Sequence, residues 1–198
     1  MHTFVIAEGG SSWRFGDDLA NAKRIMVAAK ACGADACKFQ WTSCADLLAT
    51  RRNAPELAPM YARYLQYPVE WLGKLKAMCD EAGIEFMCSQ YLAVDCDVIA
   101  GLATRGKISA FESGDDELIS CARARFESLV VSVNLGKRIP QADDVWTLQC
   151  GSEYPAPRHK YRLSKLRDGT FHGVSDHCGD PTTGQLFGDL IAAHALSF

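Results

Sequence analysis

Seven short apolar runs recur along the chain, and a segment of helix length separates each from the next. The intervening segments carry apolar residues at helical spacing, as Leu19 and Met26 do between a predicted N-cap at Asp17 and a stop at Gly33. A strand-helix-strand series of this kind predicts parallel pairing through right-handed crossovers. The predicted strands cover residues 4–7, 36–41, 85–88, 108–111, 129–133, 146–150 and 173–175.

Parallel strands with helical crossovers form either a closed barrel or an open doubly wound sheet. The sequence has no GxGxxG after the first run and no GxxxxGK[ST] anywhere, so a nucleotide-binding open sheet lacks its usual motifs. Polar residues follow almost every predicted strand, as Glu8 follows the first, and the carboxyl ends of strands are where barrels bind ligands. The pattern therefore predicts an α/β fold of the TIM-type (β/α) barrel class.

The predicted barrel is incomplete, with seven of eight strands and one shortened crossover helix. Only residues 133–145, with Pro140 among them, lie where a full helix is expected, and the chain ends after a predicted helix at Thr183 to Leu196. We expect a single domain over residues 1–198. Because open sheet edges invite pairing, we also predict a homo-oligomer or a partner chain that covers the seam.

Composition narrows the function classes. A chain of 198 residues with 48% hydrophobic content and a net charge of −3 is typical of a globular domain. No apolar run reaches the length of a membrane helix, no export signal is evident, and the basic residues form no cluster for nucleic acid. Nine cysteines without a CxxC pair indicate reduced thiols. We therefore predict a cytoplasmic protein without membrane or nucleic-acid partners.

Three side chains near strand ends are candidates for a site. Gln149 and His177 would lie on neighbouring strands, able to share a metal ion or to hold one substrate. In the alternative interpretation, His177 caps a helix and Gln149 satisfies a buried backbone group. Lys38 stands among apolar residues of the second strand, and buried lysines are rare unless they pair with an anion. It could instead reach solvent or pair with Glu8.

Several separated motifs stand out along the chain: FVIAE, AKR…AAKACGADACKFQ, GIEFMCS, ESGD, LQCGSEYPAP and GVSDH. In order and approximate spacing they resemble the sialic acid synthase family. The resemblance implies a TIM barrel that condenses phosphoenolpyruvate with an N-acetylated amino sugar, such as N-acetylmannosamine, to a nine-carbon 2-keto sugar acid. It also implies a divalent metal, Mn²⁺ or Mg²⁺. The resemblance spans almost the whole chain, without the antifreeze-like domain that commonly follows the barrel.

The resemblance also implies roles for individual residues. Lys38 matches a phosphoenolpyruvate-binding cation, and Glu8 matches a first-strand glutamate that moves protons or orients water and sugar hydroxyls. Gln149 and His177 match the positions of metal ligands, where the metal would polarise the sugar carbonyl. The other matches are substrate-binding positions at Ser89, Ser113, Asp115, Ser132, Ser152, Tyr154 and Asp176.

The chain also departs from the family pattern. Gln149 stands where many members have histidine, and an amide oxygen is a weaker metal ligand than imidazole. A family lysine aligns with Ala110, while Lys107 is three residues too early unless the register shifts. The segment 12–17 replaces the family's NHNGD. These departures favour a second hypothesis, a barrel that binds or assembles without catalysis, and a metal-dependent aldolase or isomerase is a weaker third.

Overall fold

The sheet of the computed structural model, which describes residues 2–16 and 18–178, contains seven parallel strands paired in chain order. It curls into a partial barrel with helices on its outer side. The prediction of an incomplete TIM-type α/β barrel is therefore confirmed for the described part of the chain. The strands are β1 (Ile6–Gly10), β2 (Ala36–Gln40), β3 (Glu85–Ser89), β4 (Arg105–Ile108), β5 (Ser128–Asn134), β6 (Val145–Cys150) and β7 (Gly173–Ser175).

The helices connect the strands and cover their outer faces. None of the helices within residues 2–16 and 18–178 combines the length and the apolar character that a bilayer crossing needs. Asp17 and the predicted helix at Thr183 to Leu196 lie outside the described residues. The helices are α1 (Asp18–Ala31), α2 (Ala45–Arg51), α3 (Ala58–Tyr64), α4 (Glu70–Ala82), α5 (Cys96–Ala100), α6 (Asp116–Arg123) and α7 (Ser164–Arg167).

The main core lies between the outer face of the sheet and the helices. Helix α4 buries Leu72, Leu75 and Cys79, which recur at spacings of three and four and so share one helix face. The helix ends where Gly83 takes a left-handed conformation with φ of 65°. Full burial of each leucine contributes roughly 1.5 to 3 kcal/mol. This packing holds the strands in place from outside.

The inner face of the sheet has an apolar lower layer and a polar upper layer. Side chains alternate along a strand, and paired residues of parallel strands face the same side. The lower layer is a separate apolar cluster in which Ala36, Met87 and Val130 pack with Ile6 and Leu148. Polar side chains one step closer to the carboxyl ends face the same interior, and this layer forms the floor of the site described below.

The fourth strand lies three residues earlier than the sequence predicts. The prediction covers residues 108–111 and the strand is Arg105–Ile108. The prediction is wrong because two charged residues and a glycine obscure the apolar pattern of the strand. Gly106 faces outward, and a Cβ built there would lie 2.8 Å from Phe126 and 2.9 Å from Leu129. Only glycine lets β4 approach its neighbours so closely. The shift brings Lys107 onto the strand.

Two connections also differ from a regular βα repeat. Residues 42–67 contain α2 and α3, and Leu48, Tyr61 and Leu65 of this stretch belong to a small separate core. By contrast, no helix stands between Asn134 and Val145, so the predicted loss of that crossover helix is confirmed. Helices α2 and α3 of the first connection lie over the site. The second connection leaves part of the outer face of the sheet without a helix.

Candidate active site

A buried lysine, Lys38, lies inside the partial barrel on β2. It is 6% exposed, its Nζ pairs with the carboxylate of Glu8 on β1, and it also donates to Ser89 Oγ on β3 at 3.3 Å. Glu8 is half exposed at the barrel mouth. Among the described residues, one carboxylate and one hydroxyl hold this cation, which is well suited to receive an anionic ligand.

A second buried lysine, Lys107, lies on β4. It is 4% exposed, and its Nζ donates to the backbone oxygen of Ile108 and to Ser132 Oγ, both at 2.8 Å. Burial, and next the positive charge of Lys38, lower the pKa of Lys107 to about 7. Because β4 ends at Ile108, Lys107 lies within the strand and its Nζ reaches the barrel interior beside Ser132.

The two lysines and two serines occupy four adjacent strands. Register pairs Glu8 with Lys38, Gln40 with Ser89, and Ser89 with Lys107, so these side chains rise from one inner surface. Two ammonium groups with hydroxyl donors beside them bind phosphate or carboxylate well. These four residues, which we call the lysine floor, thus have the composition of an anion site.

A cavity of about 460 Å³ opens at the carboxyl ends of the strands, and its lining includes Glu8 and Gln40, the register partners of Lys38 and Ser89. Glu8 and Gln40 line its lower part, and Tyr154 and His177 line the side that follows β6 and β7. The opposite side is formed by α2, α3 and the turn after β4. Its further lining residues are Arg52, Met60, Tyr61, Tyr64, Tyr91, Ser109, Ala110 and Phe111.

His177 reaches the cavity and is held by several neighbours. Its Nδ1 lies 2.7 Å from the backbone oxygen of Gly151, and its Nε2 lies 2.9 Å from the hydroxyl of Tyr154. The ring stacks on Tyr154 with centroids 4.1 Å apart. Burial lowers the pKa of His177, which keeps the imidazole neutral at pH 7. A neutral ring with Nδ1 donating to Gly151 leaves Nε2 as the acceptor on the cavity side.

Gln149 faces away from the cavity, toward the outer side of β6. Its paired neighbour Val133 belongs to the outer core, and its amide accepts from the backbone N–H of Arg162 and donates to the Arg162 backbone oxygen at 3.3 Å. This is the alternative in which Gln149 satisfies a buried backbone group. The two predicted metal ligands therefore have separate partners, and the described residues contain no group of three His, Cys, Asp or Glu side chains that could hold a metal.

The remaining predicted residues divide between the mouth and its supporting turns. Ser152 lines the cavity, and its Oγ donates to Asn134 at 2.9 Å. Ser113 donates to the backbone oxygen of Ala110 at 3.0 Å, which closes the turn after β4. Asp115 caps α6 by accepting from the Leu118 N–H at 3.0 Å. These bonds position the loops from which the mouth is built.

Asp176 also supports a turn. Its Oδ1 accepts from the backbone N–H of Cys178 at 2.8 Å. A carboxylate that accepts from the N–H two residues later forms an Asx turn. This turn holds the chain as it leaves β7, directly beside His177.

Sequence reasoning missed Gln40, Arg52 and the aromatic residues of the cavity wall. Gln40 ends β2 two residues after Lys38, so strand alternation alone could have indicated it. Arg52, Tyr61 and Phe111 carry no local signal. They meet only because α2, α3 and the turn after β4 pack over the same edge of the sheet.

Comparison with known proteins agrees with this architecture. The model of the NeuB family matches residues 25–184, which is most of the chain. The chain belongs to the NeuB family. Among curated relatives of this NeuB-family chain, the N,N'-diacetyllegionaminic acid synthase of Legionella pneumophila is 28% identical over 196 aligned residues, covering 84% of this chain and 54% of that protein. The chain spans about half the length of the curated relatives it matches.

Two solved structures share the fold of this NeuB-family chain. The N-acetylneuraminic acid synthetase of Leptospira borgpetersenii is 20% identical with a TM-score of 0.72, covering 88% of this chain and 65% of that one. The spore coat polysaccharide biosynthesis protein SpsE of Bacillus subtilis is 23% identical with a TM-score of 0.68, covering 88% and 53%. The partial barrel thus corresponds to a portion of each larger protein.

Proposed function

We propose that this chain carries the phosphoenolpyruvate-binding barrel of a sugar acid synthase and condenses phosphoenolpyruvate with an N-acetylated amino sugar. The observation that carries the proposal is the pair of buried lysines, Lys38 and Lys107, with Ser89 and Ser132 beside them. Phosphoenolpyruvate brings one phosphate and one carboxylate to a single small molecule. Two cations and two hydroxyls inside one barrel match that demand.

In the proposed reaction, C3 of phosphoenolpyruvate forms a bond to the aldehyde carbon of the open-chain sugar, whose oxygen takes up a proton. Water adds at C2, and inorganic phosphate leaves, so the product is a 2-keto sugar acid. Glu8 lies at the mouth beside Lys38, where a carboxylate can orient the water or move protons. His177 and Tyr154 border the same cavity and can bind sugar hydroxyls.

The divalent metal remains part of the proposal. Because the amide of Gln149 is bound to Arg162, the predicted pair of ligands does not fit a shared ion in this arrangement. That observation favours a second candidate function, in which the barrel binds phosphoenolpyruvate or a related anion without catalysis. We place either activity in the cytoplasm.

The first test separates these two functions. The protein is incubated with phosphoenolpyruvate, N-acetylmannosamine and Mn²⁺, and phosphate release is followed beside calorimetric binding of phosphoenolpyruvate alone. We expect release with the wild type, and a loss of roughly 1.5 to 3 kcal/mol of binding free energy in Lys38→Ala or Lys107→Ala. Binding without release would support the non-catalytic function. Wild-type affinity for phosphoenolpyruvate in both variants would show that the lysine floor does not bind this anion.

The matched control is Lys76→Ala, which removes an exposed lysine paired with Asp80 on α4. It should leave binding unchanged, since an exposed pair of this kind contributes little. Omission of Mn²⁺ and addition of a chelator test the metal prediction separately. His177→Ala should abolish any metal dependence before it abolishes phosphoenolpyruvate binding.

A further inference from the structure

One wall of the cavity has a different character from the lysine floor. Met60, Tyr61 and Tyr64 from α3 and Phe111 from the turn after β4 form it, and Arg52, at the end of α2, lies among them. Phe111 is 66% exposed and Met60 is 44% exposed, so apolar surface faces the open mouth. We call these five residues the aromatic wall.

Arg52 is fixed within the aromatic wall by a buried partner. Its Nε donates to Glu112 Oε1 at 2.6 Å and its Nη1 donates to the Tyr61 hydroxyl at 3.2 Å. The arginine side chain is 16% exposed and that of Glu112 is 7% exposed. Burial alone lowers the pKa of Arg52, but the hydrogen bond and charge of Glu112 outweigh it, so the net effect is a raised pKa and a charged guanidinium.

Aromatic rings surround this guanidinium. Its central carbon lies 5.3 Å from the ring centroid of Tyr61 and 5.0 Å from those of Tyr91 and Phe111. Rings at this distance attract a cation, and such cages bind ammonium groups when they are vacant. Here the chain's own arginine fills the cage. A second cation at this wall would meet a fixed positive charge.

A neutral group with a carbonyl oxygen and a small alkyl part suits the wall better. A guanidinium carries only donors, which match a carbonyl oxygen, and the exposed side chains of Met60 and Phe111 match an alkyl group. An acylamino group has both parts on adjacent atoms. The free amine of the same sugar is an ammonium ion at neutral pH and has neither.

We propose that the aromatic wall binds the acylamino group of the sugar acceptor, with the carbonyl oxygen toward Arg52 and the alkyl part against Met60 and Phe111. This inference rests on the proposed function. It assigns to Arg52 and Phe111 the selection of acylated over free amino sugars. In this arrangement phosphoenolpyruvate binds toward the lysine floor, past Glu8 and Gln40, and the sugar binds against the aromatic wall.

The test compares N-acetylmannosamine with mannosamine in the presence of phosphoenolpyruvate, by calorimetric affinity and by kcat/KM for phosphate release. The main variant is Arg52→Met with Glu112→Leu, because removal of one partner alone leaves a buried charge. We expect the variant to lose about 10- to 100-fold for the acetylated sugar, as for loss of a charge-assisted hydrogen bond, and little for the amine. The KM for phosphoenolpyruvate should stay unchanged.

A second variant, Phe111→Ser, guards against misfolding, since this exposed ring contributes little to the core. It should weaken the acetylated sugar about fivefold and leave the amine unaffected. The control is Arg125→Met with Asp97→Leu, which removes an ion pair outside the cavity lining. It should change neither sugar.

The outcomes are distinguishable. Equal losses for both sugars in both variants would overturn the inference, as would equal wild-type affinities. If the wild type releases no phosphate with either sugar, the proposed reaction fails, and the affinities still decide the inference. Preference for the acetylated sugar that disappears in the Arg52→Met, Glu112→Leu protein would then support the wall as a binding site. Absence of binding by both sugars would overturn both proposals.

Discussion

Lys107 illustrates how one residue can combine an anion site with a cost in stability. A lysine wholly inside a barrel loses its hydration, and it has a second ammonium, Lys38, on the same inner surface. The Oγ of Ser132 and the backbone oxygen of Ile108 offset only part of that loss, since neither carries a full charge. An anionic ligand would supply the missing charge, which is why the pair indicates function.

The first residue-scale prediction concerns pH. Because the pKa of Lys107 falls to about 7 in the folded protein from 10.5, the unfolded chain holds a proton that the folded chain lacks between those values. Stability from this group therefore rises with pH through that window and is lowest below about pH 7. Lys107→Met should raise the free energy of unfolding by about 2 to 4 kcal/mol at pH 6 and by much less at pH 10.

Urea unfolding at the two pH values measures this difference. Lys76→Met is the control, because an exposed lysine should show the same small effect at both. A gain for Lys107→Met that does not depend on pH would mean that the lysine is not charged and buried as described.

At the scale of elements, β4 decides where the second lysine stands. The strand is held in register with β5 from Arg105 to Ile108, and it pairs with β3 only through Gly106 and Lys107. Close packing at Gly106 keeps this short strand in place against the outer core. A side chain at that position would push β4 away from the outer core and carry Lys107 with it.

Gly106→Ala should therefore destabilise the protein by about 1 to 3 kcal/mol, through contact with Phe126, Leu129 and the amide of Gln90. Gly73→Ala is the matched control, since a Cβ there meets nothing within 4 Å and the residue lies inside α4. The control should stabilise by roughly 1 kcal/mol because alanine favours helix. Denaturant midpoints give both values. Unchanged stability of Gly106→Ala would show that a Cβ at this position fits beside Phe126 and Leu129.

At the scale of the whole molecule, the described sheet has two open edges. Strand β1 pairs only with β2, and β7 pairs only with β6, within the residues that the structure describes. Unpaired edges and partly exposed residues on the edge strands, such as Ile6 and Val174, favour pairing with more chain. We predict self-association across this seam. Light scattering at micromolar concentration should give at least twice the mass of 21.7 kDa, whereas a uniform monomer would contradict the prediction.

What the sequence determined by itself was the repeat and its chemistry. Strand and helix periods are local, so five of the seven strands were predicted to within one residue at each end, and Glu8, Lys38 and His177 were selected as site residues. What only the tertiary structure decided depends on contacts between distant residues. The close packing at Gly106 fits β4 against its neighbours, the backbone of Arg162 binds the amide of Gln149, and the packing of α2 and α3 brings Arg52 to the cavity. None of these contacts leaves a local pattern, because each partner lies on another element.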